Sequence, residues 1–412
     1  MNASCLLTVR QEVLPELSVV TLKEDLISLI TNTMSSSKTD LLPGSKSNTS
    51  SKWPVPKRRP KPPSLWKGPE IDGVTQSLIG RFLGCRERFR LYVVEGIREK
   101  EAFNEKLEYG NIWHACEENF AAKKDWRIAL REYAHKLQIK HPESRRQIVR
   151  WAEILRVQFP LYVDHWRMHP DVQTRVPISQ EQVFRVPYTL PSGRIVTLRG
   201  KFDGLDEIGQ LKNSGTYIQE NKAKGSVNEE QLKQELHYNI QTNTYLIAAR
   251  EMFRLKMPPF DKHRKAISGV RYNVIRRPLG DWQGKFNIKQ RKGRMTKKGR
   301  IGEESEKEFY ARLGKLIKDN SEHFFMRWKI EVLRSDTQKF IEDTFVPIME
   351  QLWDWWEWVE RGCPKGDPVH FRMPYGVYNP LLEGRPGAYA KMLNKGDMSD
   401  VQRVTTIFPE LE

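Results

Sequence analysis

The sequence predicts an α/β fold, on three observations. Segments with apolar residues recurring at helical spacing precede and follow segments in which apolar and polar residues alternate. Three of the alternating segments are consecutive, separated only by Gly, Ser, Pro and Asn punctuation, as in an antiparallel meander. Further strand-like runs then appear between helical patterns, which is how an α/β chain rather than an all-helical one is laid out. With 412 residues, the chain can bury one large elaborated core.

In chain order, residues 14–33 read as a short helix, after which Ser, Asn, Lys and Pro dominate through residue 64. The run SKWPVPKRRPKPPSLW has too little apolar surface to offset the cost of ordering its backbone, so residues 1–66 are expected to be a largely flexible, basic extension. Lys57, Arg58, Arg59 and Lys61 make it either a basic arm that rides on phosphates or recruits a partner, or a solvated linker. From residue 74 to about 167 the pattern is helical, with Trp151, Leu155 and Phe159 four apart on one stripe. Within it His114 follows Gly110 by one turn, so the glycine is expected to leave room beneath the imidazole.

The meander comprises EQVFRVPYT, the turn LPSGR, IVTLRGKFDGLDEI and TYIQENKAKG. Ser226 and Glu229 form a capping-box signature opening one helix, with Leu232, Leu236, Ile240 and Ile247 along one side and Gln241 and Tyr245 at the border of that stripe. The strand AISGVRYNVIRRP is expected to complete the core sheet. After it, residues 289–300 carry Lys289, Arg291, Lys292, Arg294, Lys297, Lys298 and Arg300 with no apolar periodicity, and read as a mobile basic loop able to clamp a phosphate backbone. Residues 302–319 read as helix, FFMRWKIEVL as strand and 335–360 as helix. The terminal cluster Trp353, Trp355, Trp356 and Trp358 is expected to pack into the core rather than stack on bases.

The chemistry concentrates in residues 200–245. Side chains alternate along a strand, so Glu220 and Lys222 share a face, and a short Gly-containing connection folds the strand bearing Asp203 back beside them. Two carboxylates suit magnesium, a hard cation usually held by one or two acids plus substrate phosphate oxygens. An adjacent lysine can orient a water activated by such a cation, or stabilise charge building on phosphorus.

Four features carry a family resemblance: SLIGRFLGC at residues 77–85; Tyr109-Gly110-Asn111-Ile112-Trp113-His114; GKFDG with Glu220-Asn221-Lys222; and Gln241-x-x-x-Tyr245. In this order, spread over about 170 residues, they resemble the PD-(D/E)XK nucleases, specifically the RecB-like branch. The resemblance implies a restriction-endonuclease-like mixed central sheet flanked by helices, with helical N- and C-terminal elaborations. The nuclease core would span residues 67–280, a basic loop 281–304, and residues 305–412 would complete the same domain, its tail wrapping the core. It implies that His114, Asp203 and Glu220 gather one or two Mg2+ or Mn2+ ions, that Lys222 positions the attacking water, that Gln241 braces the site or touches DNA, and that Tyr245 lines it. Phe202 stands where the family name has proline. Relatives with an iron–sulfur cluster use four cysteines. Here Cys85 matches the first, but the segment PVHFRMPYGVYNPLLEG has none and Cys5, Cys116 and Cys363 do not supply the grouping, so no cluster is expected.

A formal net charge of +17 favours a polyanionic partner, and nucleic acid leads because neutralised phosphates release condensed counterions. No apolar run approaches the ~20 residues of a membrane span. Four scattered cysteines suggest no disulfide framework, and the reading is of a cytoplasmic protein of a bacterial or phage-infected cell. The expected activity is a DNA exonuclease of recombination, repair or phage replication, with recombination or replication proteins as partners. The rivals are a structure-specific endonuclease with the same site and a catalytically silent DNA-binding scaffold.

Overall fold

The computed structural model describes residues 64–209, 215–225, 227–262, 265–278, 290–296, 299–362 and 388–411. The expected helix at 14–33, the basic residues 57–61 and the tail segment 363–387 lie outside them. Trp66, the last residue of the expected flexible extension, is fully buried and donates its indole N–H to Gly73 O at 3.0 Å. One large indole buries enough surface to fix this end of the chain.

Helix α1 (Gln76–Gly84) starts at Thr75, whose hydroxyl accepts the Leu78 N–H at 3.3 Å. The stretch expected to be helical throughout contains a short strand, β1 (Ile97–Glu99), paired antiparallel with Val401–Arg403. There follow α2 (Glu105–Ala121), α3 (Trp126–Lys140) and α4 (Arg145–Trp166). The stripe Trp151, Leu155 and Phe159 is buried, and Trp113 of α2 packs on Phe159 and Tyr162 of α4 at ring separations of 5.2 and 5.1 Å. Tyr109 of α2 also donates to Gln158 of α4, whose amide reaches Arg276 O at 2.8 Å. These contacts clamp α2, the carrier of His114, against the sheet.

The meander is β2 (Val176–Thr189), β3 (Ile195–Ile208) and β4 (Gly215–Lys224), each antiparallel to the next. Two helices follow where one was expected: α5 (Glu229–Tyr238) and α6 (Ile240–Arg254). The break is Asn239, extended at φ −65° and ψ 126°, whose side-chain oxygen accepts the N–H groups of Gln241 at 2.9 Å and Thr242 at 3.2 Å. A short polar side chain that satisfies orphan donors starts a new helix better than it continues an old one. The cap of α5 is likewise Asn228, accepting the Gln231 N–H at 3.2 Å, while Ser226 lies outside the described residues. Asn239→Ala is expected to cost about 1 kcal/mol of stability. Thermal unfolding of the variant beside wild type would check this.

The α5–α6 crossover lets β5 (Ile267–Arg276) lie parallel to β4, since a parallel pair cannot be joined by a tight turn. Part of the run expected to be a mobile basic loop is a two-stranded antiparallel ribbon, β6 (Arg294–Thr296) and β7 (Gly299–Ile301). Arg291 and Lys292 are exposed just before it, whereas Lys289, Lys297 and Lys298 lie outside the described residues. After α7 (Glu306–Asp319) comes β8 (Phe325–Glu331), antiparallel to β5. It is β8, not β5, that completes the sheet, in the order β2-β3-β4-β5-β8.

Finally α8 (Arg334–Phe340) leads into α9 (Val346–Glu360). Trp355, Trp356 and Trp358 of α9 are buried with residues of α1, α6 and one sheet face, as expected of a packing cluster. A second core joins α2, α3, α4 and α7 near Ile275 and Phe325. The result is a five-stranded mixed sheet covered by helices. Among the described residues no helix is long and apolar enough to cross a membrane.

Candidate active site

The site grows from three neighbouring strands and two helices. In the β2–β3 hairpin, Thr189 faces Ile195 across the turn, and counting eight residues back along each strand brings Glu181 opposite Asp203. Gln180↔Gly204 and Gln182↔Phe202 bracket that pair. Two regularities break here. Glu181 has φ 49°, a left-handed conformation costly for a non-glycine residue in a strand. Phe202 and Leu205 both enter the core beneath α6, although period-two alternation would send them to opposite faces. The interruption falls at Asp203-Gly204, so the acids sit where the sheet is locally irregular.

His114 on α2 completes the group, its Nδ1 lying 3.6 Å from Asp203 Oδ2. Ligand atoms of His114, Glu181 and Asp203 all lie within 4.8 Å of one another. The second Asp203 contact is structural: the Asn221 backbone N–H donates to Oδ2 at 2.8 Å. Glu181 is also held, by Lys201 Nζ at 2.5 Å. Burial pushes the Asp203 carboxyl up to about 7, and the nearby charges of Glu220 and Glu181 add to the rise against the opposing pull of His114 and the Asn221 N–H.

The β3–β4 pairing ends at Gly204–Gln219, and Asp203 and Glu220 are the next residue of each strand, close enough for the Glu220 charge to act on Asp203. Glu220 lies outside the three-residue group, however, and is committed elsewhere. Its Oε1 meets Lys222 Nζ in an ion pair and accepts from Gln241 Nε2 at 2.8 Å, while Lys222 Nζ donates to Gln241 Oε1 at 2.8 Å. Glu220, Lys222 and Gln241 thus form a closed triangle of hydrogen bonds. Gln241 holds its place because Asn239 starts α6 one residue before the helix proper.

Tyr245, one turn further on, is buried edge-on against the stacked rings of Phe184 and Phe202 at 5.7 and 5.4 Å. Burial, then the charges of Glu220 and Asp203, raise its phenol far above the usual range. The Gly110 expectation needs correction. A Cβ there would meet only Ala223 at 3.9 Å, an ordinary contact, so crowding beneath the imidazole does not require the glycine.

The donor set tests well against a divalent cation. Two carboxylates and an imidazole converge, a donor set of the kind that holds divalent transition-metal and magnesium-like cations. Glu181 escaped the motif reading because it belongs to no motif. The equal arm lengths of the hairpin could have found it.

Comparison with known proteins agrees with this architecture. No curated protein matches the chain significantly. A family model for the PD-(D/E)XK nuclease superfamily matches residues 74–339, a span running from the strand of chain just before α1 through β8 and most of α8. That span covers more than half of the sequence and includes every element of the central sheet, so the chain belongs to the PD-(D/E)XK nuclease superfamily.

Proposed function

We propose that the protein is a DNA exonuclease dependent on Mg2+ or Mn2+ and acting in recombination, repair or phage replication. The observation that carries this reading is the abutment of the His114–Glu181–Asp203 group and the Glu220–Lys222–Gln241 triangle across the β3–β4 pair. A cation held by His114, Glu181 and Asp203, with Glu220 behind them, would polarise the scissile phosphate and lower the pKa of an attacking water. The imidazole fits Mn2+ at least as well as Mg2+, which prefers oxygen donors throughout.

The chain's own side chains divide the remaining work. Lys222 has three N–H donors, two of them used on Glu220 and Gln241, and one remains to orient a water or bond a phosphate oxygen. Gln241 keeps that ammonium in place by accepting from it while donating to Glu220. Tyr245 supports Gln241 from below. Arg291 and Lys292, with the remaining basic residues of 289–300, supply charge for a phosphate backbone, in keeping with the net charge of +17.

The test is purified protein with end-labelled linear, nicked and covalently closed circular DNA, with and without Mg2+ or Mn2+. The expected result is cation-dependent loss of label from linear DNA with the closed circle intact. Cutting of the closed circle would replace the exonuclease with an endonuclease, and inertness toward every substrate would leave a silent DNA-binding protein.

A further inference from the structure

A cavity of about 450 Å3 opens between the C-terminal half of α6, the start of β5 and α8, with Ile247, Phe253, Ile267 and Ile341 in its lining and Tyr188 of β2 beside them. It stands well away from the acids. Ile267 pairs with Thr216, four residues before Glu220, so ~13 Å of strand separates the two. Along α6, Arg250 stands nine residues beyond Gln241, again ~13 Å. The cavity and the cation site therefore lie at opposite ends of the same helix and strands.

The lining combines apolar surface with unanswered positive charge. Its charged residues are Arg250, Arg254, Arg334 and Glu251. Glu251 is already committed to Arg254, whose Nε donates to it at 2.9 Å. Arg250 donates through Nη2 to Val332 O at 3.0 Å, which draws the chain entering α8 against α6, but a carbonyl leaves its charge uncompensated. Among the described residues, neither Arg250 nor Arg334 takes part in an ion pair. Burial, then the charge of Arg334, pulls the Arg250 guanidinium below its ordinary range, against the weaker pull of Asp336. The neutral polar side chains are satisfied locally, Thr337 donating to Leu333 O at 3.4 Å and Gln338 to Glu342 at 2.7 Å. The flanking residues are apolar as well: Leu333, just before Arg334, is 66% exposed, and Leu255, just after Arg254, is 39% exposed. Exposed apolar surface rimmed by charge marks an interaction site.

We propose that this cavity is the docking site for an acidic segment of a partner protein, which inserts a large apolar side chain between α6 and α8 and sets its carboxylates against Arg250 and Arg334. Charge complementarity selects the sign of the occupant, since paired guanidinium and carboxylate groups make charge-assisted bonds. The apolar lining selects its kind. A nucleic acid would have to place a base there, and its polar edge would lose water where Thr337 and Gln338 are already bonded to the protein. A Leu, Ile or Phe side chain is favoured by the same burial. The volume falls within the ~300–1,000 Å3 of ligand clefts, and arginines beside a tyrosine are typical of the energetic centre of an interface. A partner held here leaves the cation site, at the other end of α6, open to substrate.

The experiment screens the full chain with a random dodecapeptide phage library, in excess duplex DNA to occupy the nucleic-acid surface, and measures enriched peptides with a fluorescein label by anisotropy. Peptides that combine acidic residues with a large apolar one should be enriched. Arg334→Glu should weaken their binding by about tenfold or more, and Arg334→Lys by much less. Ala266→Trp, which fills the apolar space and leaves the charges, should weaken it by about the same factor as Arg334→Glu. Arg131→Glu, the same change of charge at an exposed position of α3, should alter it by less than about twofold, separating the cavity from the net charge of +17. Failure to enrich acidic, apolar-anchored peptides, or wild-type affinity for them in either Arg334→Glu or Ala266→Trp, overturns the proposal. A loss of duplex DNA affinity in Arg334→Glu as large as its loss of peptide affinity also overturns it, by assigning the cavity to nucleic acid. The readout is binding alone, so a failure of the nuclease reading leaves this test intact.

Discussion

Asp203→Asn is expected to lower cleavage by about 1,000-fold or more while making the cation-free protein more stable. Both effects come from one observation. Asp203 sits with Glu181 and His114 within 4.8 Å, and its carboxyl is pushed from 3.8 up to about 7 by burial first and the charge of Glu220 second. A group bound more tightly to its proton in the folded than in the unfolded chain makes stability fall as pH rises between those two values. The penalty is complete above about pH 7 and absent below about pH 4. The amide removes it, because Asn cannot ionise and its carbonyl can still accept the Asn221 N–H.

In chelator, the variant should therefore melt above wild type at pH 8, and the gap should close as pH falls toward 4. Added Mn2+ should reverse the order, stabilising wild type and leaving the variant unmoved. On this expectation the acid cluster costs stability in chelator and is useful only with a cation, an exchange of stability for function. A variant that melts below wild type at pH 8 in chelator, or that keeps the Mn2+ response, would remove Asp203 from the cation site.

Lys222→Ala should lower kcat by about 100- to 1,000-fold, with DNA binding in Ca2+ and the Mn2+-induced rise in melting temperature both retained. Lys222 touches none of the three clustered ligands, so cation binding does not depend on it. Its loss does leave the 4%-exposed Glu220 without its cation and Gln241 Oε1 without its donor, and the melting temperature should fall modestly in consequence. The retained Mn2+ response separates this variant from Asp203→Asn and distinguishes a group acting on the reaction from one holding the cation. Cleavage by Lys222→Ala at the wild-type rate would reject the role assigned to Lys222.

Much of the fold was legible in the sequence because local rules govern it. The three meander strands follow from alternation and turn residues, and the stripe Trp151, Leu155 and Phe159 from helical spacing. Glu220 and Lys222 share a face because strand geometry leaves no choice, and Gln241 reaches them across the crossover. The break at Asn239 was not legible, since an apolar stripe continues across it. What decides there is whether one side chain caps a new helix or stays idle in an old one.

The basic run resisted for a similar reason: charge gives no periodicity, yet a ribbon can form wherever two short segments pair. That β8 rather than β5 closes the sheet is a long-range pairing that local pattern does not encode. By itself the sequence determined the residue types of the chemistry, the strands that carry Asp203, Glu220 and Lys222, and the order of elements, because these depend on periods of two and 3.6 and on turn residues. Only the tertiary structure decided that Glu181 joins His114 and Asp203 while Glu220 turns to Lys222 and Gln241. Hairpin register, a left-handed residue in β2 and the docking of α2 set those distances, and each depends on contacts between residues far apart in the chain.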